Sequence, residues 1–132
     1  MKRKIRLASG KIVYTWIEHK QILVKYINGN IIDIDEGMED ILSRIWKRGY
    51  ETLISCEEHS DRNSGLDPEF YVSMNLEVYQ KLITDIEERN PTFLQLIRNS
   101  KLKFIDKIWT VMMRVPISQK NLFIEEWDKT FE

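Results

Sequence analysis

The sequence predicts an α+β fold, a mostly antiparallel sheet with helices packed on one face, and three observations lead there. A β-branched and aromatic run ends in Asn28-Gly29, a turn pair that joins antiparallel strands. Met38, Ile41, Leu42, Ile45 and Trp46 recur at helical spacing as one apolar stripe, so this helix must lie on another layer. Leu102 to Val115 carries apolar residues on both faces, as a strand inside a sheet does.

The elements follow in chain order. Lys4 to Leu7 begins a strand, Ser9-Gly10 marks a turn, and Lys11 to Glu18 alternates Ile12, Tyr14 and Trp16 with Val13, Thr15 and Ile17. Gln21 to Ile27 and Ile31 to Ile34 form a hairpin across a two-residue Asn28-Gly29 turn, so the first third reads as an antiparallel meander. Asp35 is placed to cap the next helix, Glu36 and Glu39 suit its positive end, and Gly49 suits a left-handed stop. Tyr50 to Cys56 reads as a strand, Glu57 to Pro68 as a polar loop, and Glu69 to Met74 as the partner strand, with Phe70, Val72 and Met74 on one side. Asn75 caps a second helix built on Leu76, Tyr79, Leu82, Ile83 and Ile86, and Pro91 starts a shorter one. The long strand Leu102 to Val115 stops at Pro116, and Ser118 caps a final helix carrying Phe123, Ile124, Trp127 and Phe131. Trp16, Trp46, Trp109 and Trp127 are assigned to the core or to an oligomer interface.

A chain of 132 residues is long enough to close one core, which predicts one domain over residues 1–132. An apolar content of 42% excludes a disordered chain. The net charge of −1 supplies no overall field toward nucleic acid or an anionic membrane, so any such contact needs a local patch. One cysteine excludes an internal disulfide, and no apolar run is long enough for a signal peptide or a membrane span. A reducing, cytoplasmic setting is the simplest expectation. Frequent Ile and Lys with few Ala suggest a bacterial or phage origin.

Chemistry-bearing residues gather at the end of the strand that reaches Cys56. His59, Glu57, Glu58 and Asp61 follow it at the mouth of a polar loop. Cys56-x-x-His59 has the spacing of half a zinc site, and His19, Glu58, Asp61 or Asp67 are the residues left to complete a shell. No second Cys or His pair exists, so no metal and no cofactor is expected. A thiol nucleophile would use Cys56 with His59 as base and Glu58 nearby, but adjacent acids oppose thiolate formation, and a buried thiol packing as a small hydrophobe is simpler. The glycine-rich nucleotide loops, the Gly-x-Ser-x-Gly elbow and His-Glu-x-x-His are all missing from the sequence.

Arg98, Lys101, Lys103, Lys107 and Arg114, with Phe104 and Trp109 interleaved, are able to stack a ring and hold a phosphate. Lysines guarding a sheet edge explain the same pattern. A ligand is expected to meet Arg62, Lys107, Trp109 and Arg114, where the loop Glu57 to Pro68 faces the strand Leu102 to Val115.

The run Trp46-Lys-Arg-Gly-Tyr-Glu-Thr-Leu-Ile-Ser-Cys56, followed by Phe70-Tyr-Val and by Trp109-Thr-Val-Met-Met-Arg-Val-Pro, resembles a group of small uncharacterised bacterial and phage-related α+β proteins. They share a helix, a Gly stop and a strand with the pattern Gly-x-x-Thr-x-x-Ser-Cys, here Gly49 to Cys56. Glu57-Glu58-His59 stand where that group has a Gly or Gln beside the Cys. The strand ending in Ser-Cys after a Gly-stopped helix is also similar to the wybutosine-synthesis tRNA methyltransferase family. That family's basic character and the Arg soon after its Cys are not present, so its activity does not carry over. The expected function is a non-catalytic binding or accessory protein that captures a protein or nucleotide-like ligand; the alternatives are a small enzyme using Cys56 and His59 and, behind it, an RNA-modification protein. Nucleic acid is less favoured as a partner, no membrane is expected, and a homodimer is compatible with tryptophans that serve in part as an oligomer interface.

Overall fold

The structure, a computed structural model, describes residues 2–16, 19–59, 68–99 and 102–132. Two hairpins open the chain, β1 (Lys2–Arg6) with β2 (Ile12–Trp16) and β3 (Gln21–Lys25) with β4 (Ile31–Asp35). They form separate two-stranded sheets and not the expected meander. The Arg6 N–H donates to the Asp33 carboxylate at 2.8 Å and holds the first hairpin beside β4.

Both hairpins turn through three residues, not two. Leu7 N–H bonds the Lys11 carbonyl and Tyr26 N–H the Asn30 carbonyl, leaving Ala8-Ser9-Gly10 and Ile27-Asn28-Gly29 as the loops. Gly10 and Gly29 take φ of 87° and 88°, the left-handed third position of such loops. Only one residue of the Asn-Gly pair therefore has positive φ, whereas a two-residue turn of the expected type needs both.

After a short 3₁₀ turn at Glu36–Met38 comes α1 (Glu39–Lys47). Its stripe Ile41, Leu42 and Ile45 is fully buried, and Gly49 at φ 84° ends it. Asp35 does not cap this turn; its carboxylate bonds elsewhere. The strand after the helix, β5 (Ile54–His59), begins four residues later than its β-branched run suggests and reaches past Cys56, so Glu57 lies in a strand and not in a loop. It pairs antiparallel with β6 (Glu69–Asn75). Asn75 caps α2 (Leu76–Arg89), accepting the Glu77 N–H at 2.9 Å as its position predicts. A 3₁₀ stretch Pro91–Leu96 leads to the short β7 (Arg98–Asn99).

The segment read as one long strand is two. β8 (Lys103–Ile105) turns at Asp106-Lys107, at φ 50° and 67°, and returns as β9 (Ile108–Pro116). This left-handed pair carries no glycine, which is why the turn left no mark in the residue types. The five-stranded sheet runs β5-β6-β9-β7, with β8 also on β9, and every pairing is antiparallel. The last helix, α3 (Lys120–Phe131), follows a 3₁₀ turn that contains Ser118, so Ser118 does not cap it.

One face of the large sheet is covered. Phe70, Val72 and Met74 stand opposite Val115, Met113 and Val111, and these pairs bury against Leu82 and Ile86 of α2 and Phe123 and Trp127 of α3. Phe123 holds Phe70 and Phe93 edge-on at ring distances of 5.5 and 5.1 Å. Arg44 of α1 grips Asp128 of α3 through two hydrogen bonds of 2.9 and 3.2 Å. The expected α+β architecture with helices on one face is the one observed. Trp127 is core and Trp46 partly so, but Trp109 is 52% exposed. The Trp16 side chain lies outside the described side chains.

Candidate functional site

Three chain segments converge on Asp35. The register puts Gln21 at the start of β3 opposite Asp35 at the end of β4, and the Gln21 amide donates to Asp35 Oδ1. The Glu57 N–H in β5 donates to Asp35 Oδ2 at 2.8 Å. Both oxygens of this carboxylate, in a residue only 8% exposed, are thereby fixed in direction.

Beside it stand His19, which precedes β3, and Cys56. A nitrogen of His19, an oxygen of Asp35 and the sulfur of Cys56 lie within 4.8 Å of one another. Glu57 Oε1 is 3.5 Å from His19 Nδ1, at the edge of the group. Gly37 leaves room for this approach, because a Cβ at that position would collide with the Glu57 carboxylate as it is placed. Tyr71, directly across the sheet from Cys56, closes the cluster. Its hydroxyl is pushed up to about 12, first by burial and then by the negative charge of Cys56 and Asp35, so it stays a neutral phenol at physiological pH.

Farther along the same row, Tyr71 of β6 faces Arg114 of β9, which faces Arg98 of β7. Glu69, 7% exposed, lies 3.6 Å from Arg98 and 3.7 Å from Arg114. The two guanidiniums neutralise an acid on the sheet face away from the buried apolar pairs.

The hairpin β8–β9 is a different kind of surface. Leu102, Phe104, Ile105, Ile108 and Trp109 are between 38% and 61% exposed. Phe104 pairs with Trp109, ring centres 5.1 Å apart, and Ile105 pairs with Ile108. Cross-strand partners share a face and neighbours along a strand alternate, so both faces of this arm are apolar. Lys11 reaches Asp106 at its tip, 3.7 Å away.

Of the residues expected to hold a ligand, Lys107 and Trp109 come together on the arm. Arg114 does not join them: it lies five residues down β9 beside Glu69. Arg62 lies outside the described residues, as do Asp61 and Asp67, and the side chains of Glu58 and His59 are likewise outside the description. The backbone register sets His59 opposite Glu69, across a bulge from Cys56. The sequence pairs Cys56 first with His59 and holds His19 only as a residue to complete a shell, whereas the fold brings His19 to Cys56. Asp35 and Gly37 were missed as members of a site. The available signal was an Asp-Glu-Gly sequence at a strand end, where glycine leaves room for a side chain to approach the backbone.

No helix among the described residues is long and apolar enough to cross a membrane. Comparisons with protein-family models, with curated proteins and with solved structures find no match to this chain.

Proposed function

We propose that the protein works by binding and not by catalysis, and that it docks a partner protein through the β8–β9 arm. The observation that carries this reading is the arm itself: four large apolar side chains exposed in two cross-strand pairs, one on each face of the β8–β9 hairpin, with Leu102 exposed just before it. Solvent-facing apolar residues scattered singly need no explanation, but a contiguous group on one projection marks an interaction surface. Isoleucine and leucine beside the Phe104–Trp109 pair suit an apolar protein surface better than a stacked base, which gains little from aliphatic neighbours. Lys103 and Lys107 flank the patch, and Asp106 is already met by Lys11, so the complementary surface is apolar at its centre and acidic at its rim.

The test begins with a partner recovered by affinity purification, then produced alone and recombined with the pure protein. In the complex, amides 102–110 should gain protection from hydrogen exchange. Trp109→Ser should weaken the reconstituted complex roughly 30-fold, the loss expected of a central aromatic anchor. Unchanged exchange in the arm, or equal affinity of the variant, overturns the reading. So does tighter binding of a single-stranded oligonucleotide that quenches Trp109, which would make the arm a base-stacking platform.

A further inference from the structure

From the cluster around Asp35 we infer a binding site for a zinc-class divalent cation, with His19, Asp35 and Cys56 as the three protein ligands and the fourth position left to water. Imidazole, carboxylate and thiolate are the three ligand types that zinc takes, and they arrive here from three strand-associated segments that the fold alone brings together. Ligand atoms around a tetrahedral zinc, each at roughly 2.0–2.3 Å, lie about 3.3–3.8 Å apart. Three donors within 4.8 Å of one another need only close by about an ångström.

The carboxylate at the centre is already oriented. Gln21 and the Glu57 N–H each occupy one lone pair of Asp35, leaving others on the same oxygens for a metal, and outer hydrogen bonds of this kind orient first ligands in known metal sites. Glu57 stands 3.5 Å from His19 as an outer partner of the imidazole, and Gly37 leaves it room. A carboxylate, a thiol and an imidazole converge here, and zinc binding draws the thiol into its thiolate form. Sulfur and nitrogen donors select zinc-class metals over magnesium and calcium, which prefer all-oxygen shells. This site does not depend on the arm, and either can fail without the other.

The experiment titrates zinc into the intact, metal-stripped protein against a chromophoric chelator, with cobalt as a spectroscopic substitute. Expected are one equivalent of zinc bound by the folded chain, a thiolate-to-cobalt charge-transfer band, and visible bands of four-coordinate intensity. Cys56→Ser and His19→Ala should each weaken binding roughly 100-fold or more, and Gln21→Ala, which removes only an outer partner, about 10- to 100-fold. Asp35 ties two strands together and is left intact, and circular dichroism confirms that each variant is folded. The inference is overturned if the folded protein takes up no zinc, if cobalt binds six-coordinate without the charge-transfer band, or if Cys56→Ser and His19→Ala bind as wild type. It is also overturned if His59→Ala abolishes binding and His19→Ala does not, since the ligands would then be the Cys56-x-x-His59 pair.

Discussion

Tyr26 shows how much one hydroxyl can hold. Its oxygen accepts the Thr52 N–H at 2.8 Å and donates to the Thr52 carbonyl at 2.9 Å, while Trp46 donates its indole N–H to the Thr52 side chain at 2.9 Å. The segment leaving α1 has no strand partner at this point, so the phenol stands in for one. Tyr26→Phe strands both backbone groups of a buried residue and should cost about 1–3 kcal/mol, read as a lowered midpoint in urea with the slope unchanged. Asp128 provides a contrast at the surface. The Arg44 guanidinium holds its carboxyl below the ordinary value of 3.8, so the pair stabilises the fold above that value, and the gain is lost as pH falls through the lowered one. Asp128→Asn should therefore cost about 0.5–1 kcal/mol at pH 7, allowing for solvent screening, and the difference from wild type should vanish toward pH 2. A gap that persists in acid would mean that geometry and not charge holds the two helices.

At the scale of elements, periodicity was a good guide and turns were a poor one. The stripe Met38 to Trp46 and the alternation Phe70, Val72, Met74 became the buried faces of α1 and β6, because burial is what spacing encodes. Asp35 and Ser118 look like caps in isolation, yet Asp35 is claimed by two partners from other strands and Ser118 sits inside a 3₁₀ turn. The convergence of His19 with Cys56 depends on hairpin placement, which no local pattern carries. The break at Asp106-Lys107 was unreadable because both residues adopt left-handed backbone without glycine or asparagine. That choice leaves strain behind. Lys107→Gly should relieve it and raise stability by about 0.5–1 kcal/mol in thermal or chemical unfolding, less whatever the glycine adds to the freedom of the unfolded chain. Destabilisation instead would show that Lys107 makes a contact worth more than the strain.

At the scale of the whole molecule, stability rests where α2, α3 and the large sheet meet. Phe123 is fully buried between Phe70 of β6 and Phe93 of the 3₁₀ stretch, with Trp127 stacked 6.1 Å away. Phe123→Ala should cost about 3–5 kcal/mol, a large part of the ~5–15 kcal/mol that holds a domain, and calorimetry should show either a sharply lowered melting temperature or no transition. The Trp109 ring, by contrast, lies outside this core, so Trp109→Ser should leave the melting temperature within about the ±0.5 kcal/mol range of surface substitutions, separating loss of docking from loss of fold.

The central position of β9 also bears on how the chain is made. Its three partners all precede it in the sequence, and α3, which covers the sheet, comes last of all. A ribosome delivering about 5–20 residues per second exposes Phe70, Val72 and Met74 first and needs roughly 3–10 s more to supply the ~50 residues that end with Phe123. During that interval the nascent β5–β6 hairpin has only α2 to cover its apolar side and lacks the α3 half of its lid, which makes it the segment a chaperone would meet on the emerging polypeptide.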